Sequence, residues 1–95
     1  MTKMLPFNKW SQERIAQGRK TCTTRTKKYN DPRVTSIIKC KLGYVKDRFW
    51  HAEGADSPEE FEQVWRDIHK QWGAKEGVFK PDQIVYVHFG DFREV

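Results

Sequence analysis

The sequence predicts an α+β fold, with a small, strongly bent or closed β-sheet and two helices packed against it. Two segments begin with residues that commonly cap helices and are followed by glycine, and other segments are rich in β-branched side chains. The resulting order is short strand, helix, strands, helix and strand. Because 95 residues is the scale of one small domain, residues 1–95 are expected to fold as a single unit.

The first elements are a short edge strand at residues 4–7 and a helix that follows it. Asn8 or Ser11 can accept a hydrogen bond as the N-cap of this helix. Gly18 suits the position just beyond the helix end, where a left-handed backbone is common. The helix is therefore expected to end at Gln17.

Two strands are predicted next, separated by a turn. A threonine-rich strand follows Gly18, and residues 27–32 form a turn because they contain Asn, Asp and Pro. Residues 34–45 are rich in β-branched side chains and partly alternate in polarity. Since Gly43 allows a bend, we expect one long bent strand from Val34 to Val45.

The second helix has the clearest local signal, with Ser57 as N-cap, Pro58 at the first helical position and Glu60 closing a capping box. Gly73 is expected to end it. Apolar side chains at helical spacing form its buried stripe: Phe61, Val64, Trp65, Ile68 and Trp72. Residues 84–89 then form a final strand, predicted to be central because both of its faces are apolar.

Charge is distributed unevenly along the chain. Residues 1–51 hold thirteen Lys and Arg against three acids, whereas residues 52–95 hold five against ten. A basic segment with interspersed aromatic residues is typical of surfaces that bind phosphates and stack on bases. The alternative is a solvated surface on which the two halves neutralise one another in the fold.

Several function classes are not supported by the composition. No apolar run approaches the roughly 20 residues of a membrane-spanning helix, and no secretory signal begins the chain, so we expect a cytoplasmic protein without membrane association. Cys22, Cys40 and the three histidines lack metal-ligand spacing, so no metal and no cofactor is expected. Cys22 is predicted to be a buried small apolar side chain.

Residues 19–25 concentrate the chemistry of the chain. In a strand, alternation places one set of side chains on one side, Arg19, Thr21, Thr23 and Arg25, and the other set on the opposite side, Lys20, Cys22 and Thr24. Two cations and two hydroxyls on one surface could hold an anion or a polar ligand.

A catalytic set can also be formed from Lys20, Thr23 and Glu53. A threonine hydroxyl needs a neighbouring base to attack a carbonyl, and Lys20 and Glu53 are the candidate helpers. Because Lys20 and Thr23 differ in strand parity, they converge only if the chain turns sharply after Gly18. The alternatives are ordinary strand threonines and a solvated loop carboxylate at Glu53.

Residues 18–25, Gly-Arg-Lys-Thr-Cys-Thr-Thr-Arg, resemble the Gly-x-Lys-x-x-Thr-x-Arg signature of ASCH domains. Glu53-Gly54 with the capped helix resembles their second motif, and residues 85–89 look like their last strand. The resemblance implies a small mixed PUA-like β-barrel with two helices and a cleft that takes RNA, a nucleotide or a modified nucleoside. Some bacterial relatives are amidohydrolases that deacetylate acetylcytidine, and their lysine, threonine and glutamate match Lys20, Thr23 and Glu53.

The chain departs from the ASCH pattern after the signature arginine, where relatives place another barrel strand and this sequence is shorter. The loss of a strand would leave a sheet edge that a second copy could cover, so a homodimer is one expected assembly.

Three functional hypotheses follow: RNA or nucleoside binding, amidohydrolysis, and a protein-interaction module; a nuclease is favoured less. The ligand-binding residues assigned are Arg19, Lys20, Thr21, Arg25, Lys27, Lys28 and Tyr29.

Overall fold

Three helices and one antiparallel sheet form the fold of residues 5–71 and 77–93, which the computed structural model describes. The helices are α1 (Lys9–Ala16), α2 (Leu42–Arg48) and α3 (Pro58–Gln71). The strands are β1 (Cys22–Arg25), β2 (Val34–Lys41) and β3 (Ile84–Gly90). The predicted α+β class is therefore confirmed.

The sheet has the order β1-β3-β2, and both outer strands are antiparallel to β3. The last strand is thus central, as its apolar composition predicted. Over the described residues the sheet is open, with β1 and β2 as its two edges. Residues 5–8 form no strand, in contrast to the predicted short edge strand at the beginning of the chain.

Helix α2 was not predicted and replaces the end of the expected long bent strand. Leu42 and Val45 lie about one helical turn apart, and both are completely buried. Tyr44 between them is 46% exposed. A continued strand would have placed Leu42 and Tyr44 on the same face, so burial of Leu42 and Val45 favours the helix. The backbone N–H groups of Leu42 and Gly43 donate to Gln83 O and Pro81 O, which ties the start of α2 to the segment before β3.

The other two helices begin at the predicted residues. Asn8 Oδ1 accepts from the Ser11 backbone N–H at 2.8 Å, and Gly18 after α1 has φ +74°. Ser57 Oγ accepts from the Glu60 N–H at 3.1 Å, as expected of the N-cap of α3. The Glu60 carboxylate accepts from the Asp56 N–H instead of that of Ser57, so the capping box is shifted by one residue. Trp72 and Gly73 lie outside the described residues.

The main core lies between one face of the sheet and helices α2 and α3. Its buried members are Cys22, Leu42, Val45, Ala55, Phe61, Trp65, Val85 and Val87. A smaller cluster packs α1 against the segment before it and the segment after β3. Its buried members are Leu5, Ile15 and Phe92. None of the described helices has the length and apolar character needed to cross a lipid bilayer.

Candidate functional site

A cavity of about 620 Å³ opens beside β1, with walls from residues 6–8, α1 and α3. We call it the cleft. Its aromatic lining residues are Phe7, Trp10, Tyr29, Phe61 and Trp65. Its main polar lining residues are Lys20, Thr23, Thr24, Arg25 and Glu53. Apolar walls with a few convergent polar groups, at a volume within the usual range of about 300–1,000 Å³, are typical of small-ligand sites.

Glu53 is the centre of a buried polar network in the cleft. Its Oε1 accepts from Lys20 Nζ at 2.8 Å, and its Oε2 accepts from Thr24 Oγ1 at 2.5 Å. Lys20 Nζ also donates to the Glu53 backbone carbonyl at 3.2 Å. The exposed fractions of Lys20, Thr24 and Glu53 are only 5%, 7% and 4%. The network therefore holds an ammonium, a carboxylate and a hydroxyl in fixed positions at a site largely shielded from water.

The loop before α3 brings Glu53 to β1. The Ala52 carbonyl accepts from the backbone N–H groups of Thr21 and Cys22, which fastens this loop to the start of the strand. Gly54 has φ +92°, and a Cβ there would lie 2.9 Å from Arg14 Cβ and 3.2 Å from Lys20 Cβ. Glycine thus allows both the backbone conformation and the close approach of the loop to Lys20.

The predicted set of Lys20, Thr23 and Glu53 is brought together only in part. Lys20 and Glu53 are joined, but the hydroxyl bonded to Glu53 is that of Thr24. Thr23 Oγ1 accepts from Arg25 Nε at 3.4 Å, and its cross-strand partner is His88. Simple alternation along residues 20–25 accounts for this arrangement, since it places Lys20 and Thr24 on the same side.

Cys22 lies on the same side of β1 as Thr24 and is completely buried. Its Sγ lies 3.8 Å from Glu53 Oε2. Burial, reinforced by the nearby carboxylate, raises the pKa of the Cys22 thiol far above its ordinary value. Cys22 is therefore a protonated packing residue, as expected, and not a nucleophile at neutral pH.

Arg25 places a cation on the other side of β1, at the boundary of the cleft. Its Nη2 donates to the Pro6 carbonyl at 2.5 Å, and its guanidinium carbon lies 5.3 Å from the Phe7 ring centroid and 5.5 Å from that of Tyr29. Burial lowers the pKa of Arg25, which nevertheless stays charged because a guanidinium keeps its proton in proteins. The two rings hold this cation in place for an anionic or polar ligand.

Tyr29 is positioned by His88, which is completely buried on β3. His88 Nε2 accepts from the Tyr29 backbone N–H at 3.0 Å, and Nδ1 lies 3.1 Å from the Tyr86 carbonyl. Burial lowers the pKa of His88, so the imidazole is neutral, with Nδ1 as the donor. His88 therefore has a structural role, holding the backbone at Tyr29 against β3.

The remaining predicted ligand-binding residues lie outside the lining of the cleft. Arg19 forms an ion pair with Asp56. Thr21, Lys27 and Lys28 are exposed. Of the predicted ligand-binding residues, Lys20, Arg25 and Tyr29 thus line the cleft.

The site predicted from the sequence left out several lining residues, among them Trp10, Thr24 and Trp65. Trp65 was assigned to the core alone, but it both packs in the core and faces the cleft. Strand parity was the available signal for Thr24, because it groups this residue with Lys20.

Among the side chains of the described residues, no three His, Cys, Asp or Glu groups converge in a way that could hold a metal ion. Comparisons with protein-family models, with curated proteins and with solved structures give no match to this chain.

Proposed function

We propose that the protein is an ASCH domain that binds RNA or a modified nucleoside, with one base held in the cleft. The principal supporting observation is the buried Lys20-Glu53-Thr24 network in the wall of an aromatic-lined cavity. Carboxylate, ammonium and hydroxyl groups can recognise the polar edge of a base, while aromatic rings stack on its faces. Arg25 supplies a cation for a phosphate at the boundary of the cleft.

The PUA-like barrel implied by the resemblance is part of this proposal. The described residues supply three antiparallel strands in an open sheet, so a closed barrel would require further strands. The shape of the cleft favours a single nucleoside or an unstacked base over a duplex, because side chains from three elements surround it. A protein-interaction module does not account for a buried polar network inside a cavity of this size.

Titration calorimetry with single-stranded RNA oligomers and with nucleosides, including acetylcytidine, tests the proposal. Arg25→Met is expected to weaken binding of the RNA about tenfold or more, since charge-assisted hydrogen bonds contribute roughly 1.5–3 kcal/mol. Arg19→Met is the matched control, because Arg19 is a neighbouring cation outside the cleft lining and should bind like wild type. Absence of RNA and nucleoside binding by the wild-type protein at low salt would contradict the proposal.

Amidohydrolysis is a second candidate, favoured by the contact between the Thr24 hydroxyl and the Glu53 carboxylate. A carboxylate 2.5 Å from a hydroxyl oxygen is in place to take its proton as the oxygen attacks an amide carbonyl. Glu53 would then pass this proton to the leaving amine as the C–N bond breaks, and water would hydrolyse the ester formed on Thr24. Lys20 on the other carboxylate oxygen would hold Glu53 in position and lie near the charge that develops on the carbonyl oxygen. This arrangement gives Thr24 the role that the ASCH signature gives to Thr23.

Acetylcytidine turnover by Thr23→Val, Thr24→Val and Glu53→Gln separates the two assignments. We expect Thr24→Val and Glu53→Gln to lose at least about 100-fold in kcat, as is typical when a general base or its partner is removed, and Thr23→Val to retain most activity. Valine keeps the shape of threonine, so circular dichroism should show folded variants. Loss of turnover in Thr23→Val alone would instead support the family assignment, and equal trace turnover in all proteins would exclude the hydrolase.

A further inference from the structure

The sheet face opposite the main core carries a row of side chains that, apart from Arg25, lie outside the lining of the cleft. In the register of the three strands, Arg25 of β1 lies opposite Tyr86 of β3, and Tyr86 lies opposite Lys39 of β2. The next cross-strand pair on this face is Ile84 with Lys41. We call the surface formed by Arg25, Lys39, Lys41, Ile84 and Tyr86 the open face.

The open face presents apolar groups to solvent at its centre. Tyr86 is half-buried on the central strand, and Ile84 is 45% exposed. Lys28, in the turn after β1, places its Nζ 5.8 Å from the Tyr86 ring centroid. A tyrosine on a central strand with cations on both sides combines a stacking surface with phosphate-binding groups.

The charge of the open face matches a polyanion. Its cations are Arg25, Lys39 and Lys41, with Lys28 beside it in the turn after β1, and the three lysines are exposed. Among the described residues, the carboxylate in ion-pair contact with this group is that of Asp82, 3.8 Å from Lys41 Nζ, and both side chains are well exposed. The acid that lies near Arg25 in the cleft, Glu53, is already bound to Lys20. The face is therefore strongly positive around a half-buried aromatic ring.

The open face continues into the cleft at the edge formed by β1. Arg25 belongs to both surfaces, and Tyr29 at the same edge lines the cleft. Neighbouring strands are about 4.8 Å apart, so the distance from Lys39 across Tyr86 to Arg25 is about 10 Å, which one or two nucleotides can span. A strand that crosses the face would thus have its next base at the entrance of the cleft.

We propose that the open face binds single-stranded RNA, with one base stacked on Tyr86, phosphates near Lys28 and Lys39, and an adjacent base in the cleft. This inference rests on the proposed function and defines its ligand as a base within a polynucleotide. Single strands expose base faces for stacking, whereas a duplex hides them, so an aromatic ring among cations favours a single strand.

Fluorescence anisotropy with a labelled single-stranded RNA oligomer, together with calorimetry using a free nucleoside, tests this ligand class. Tyr86→Ala is expected to weaken RNA binding roughly 5- to 150-fold, the usual effect of losing one stacked base, and to leave nucleoside affinity unchanged. Tyr86→Phe should retain RNA affinity because it keeps the ring. Lys39→Glu should lower the dependence of RNA affinity on salt.

The matched control is the pair Tyr44 and Arg48 on α2, an exposed tyrosine with a guanidinium 5.6 Å from its ring centroid. Tyr44→Ala and Arg48→Glu are expected to bind RNA like wild type. Equal RNA affinity of Tyr86→Ala and wild type, with nucleoside binding intact, overturns the inference and leaves the proposed function standing. Equal losses in the control pair also overturn it, as does binding of an acidic peptide in place of RNA. Failure of wild type to bind either RNA or nucleoside overturns both proposals.

Discussion

Lys20→Met is expected to lower the free energy of unfolding by about 3–5 kcal/mol, the usual cost of leaving one member of a buried ion pair without its partner. Lys20 and Glu53 are almost fully shielded from water, and Lys20 is the cation bonded to this carboxylate. Because small domains are stable by about 5–15 kcal/mol, the loss would be a large share of the total. Urea unfolding followed by circular dichroism measures it.

Two further variants show whether the effect comes from the buried charge. Arg19→Met removes the neighbouring cation, whose ion pair with Asp56 is well exposed, and should cost no more than about 1 kcal/mol. The double variant Lys20→Met/Glu53→Gln removes both charges and is expected to be more stable than Lys20→Met alone. A double variant less stable than Lys20→Met would show that packing, and not the unpaired carboxylate, causes the loss.

Leu42→Ala is expected to destabilise the protein by about 2–5 kcal/mol, the range for removing a large aliphatic side chain from a core. Leu42 begins α2 and is completely buried in the main core, where its loss would leave a cavity beneath the sheet. Thermal or urea unfolding of the variant measures the change.

Tyr44→Ala distinguishes the observed helix from the bent strand that the sequence predicted. The helix leaves Tyr44 largely exposed, in edge-on contact with Phe49, so its loss should cost less than about 1.5 kcal/mol. A strand would place Leu42 and Tyr44 on the same face and make the two substitutions similarly costly. Similar losses in both variants would therefore contradict α2.

The parts of the fold that could be predicted are those fixed by local chemistry. Asn8, Gly18 and Ser57 mark helix ends through their own hydrogen bonds or backbone freedom, and all three act where expected. Helix α2 could not be predicted, because residues 42–45 have no strong helix signal. Their conformation depends on hydrogen bonds to Pro81 and Gln83, which are distant in sequence.

The sequence predicted the charged pair of the candidate site, Lys20 and Glu53, but not the hydroxyl that binds to Glu53, which belongs to Thr24. Glu53 was selected with Lys20 as a candidate helper of a threonine hydroxyl, and Gly54 does allow the contact between the two. Thr23 was selected as a candidate nucleophile that also matches the family spacing, whereas the side of β1 that faces the loop decides which threonine Glu53 reaches. The cleft also needs Trp10 and Trp65 from two helices, whose convergence is set by tertiary packing.

The central position of β3 has a consequence for the order in which the protein is made. Within the described residues, β1 and β2 pair with β3 and not with each other, although both precede it in the chain by more than forty residues. During synthesis, the two outer strands therefore remain unpaired until residues 84–90 leave the ribosome. The wall of the cleft that β1 provides is completed only after β3 has been made.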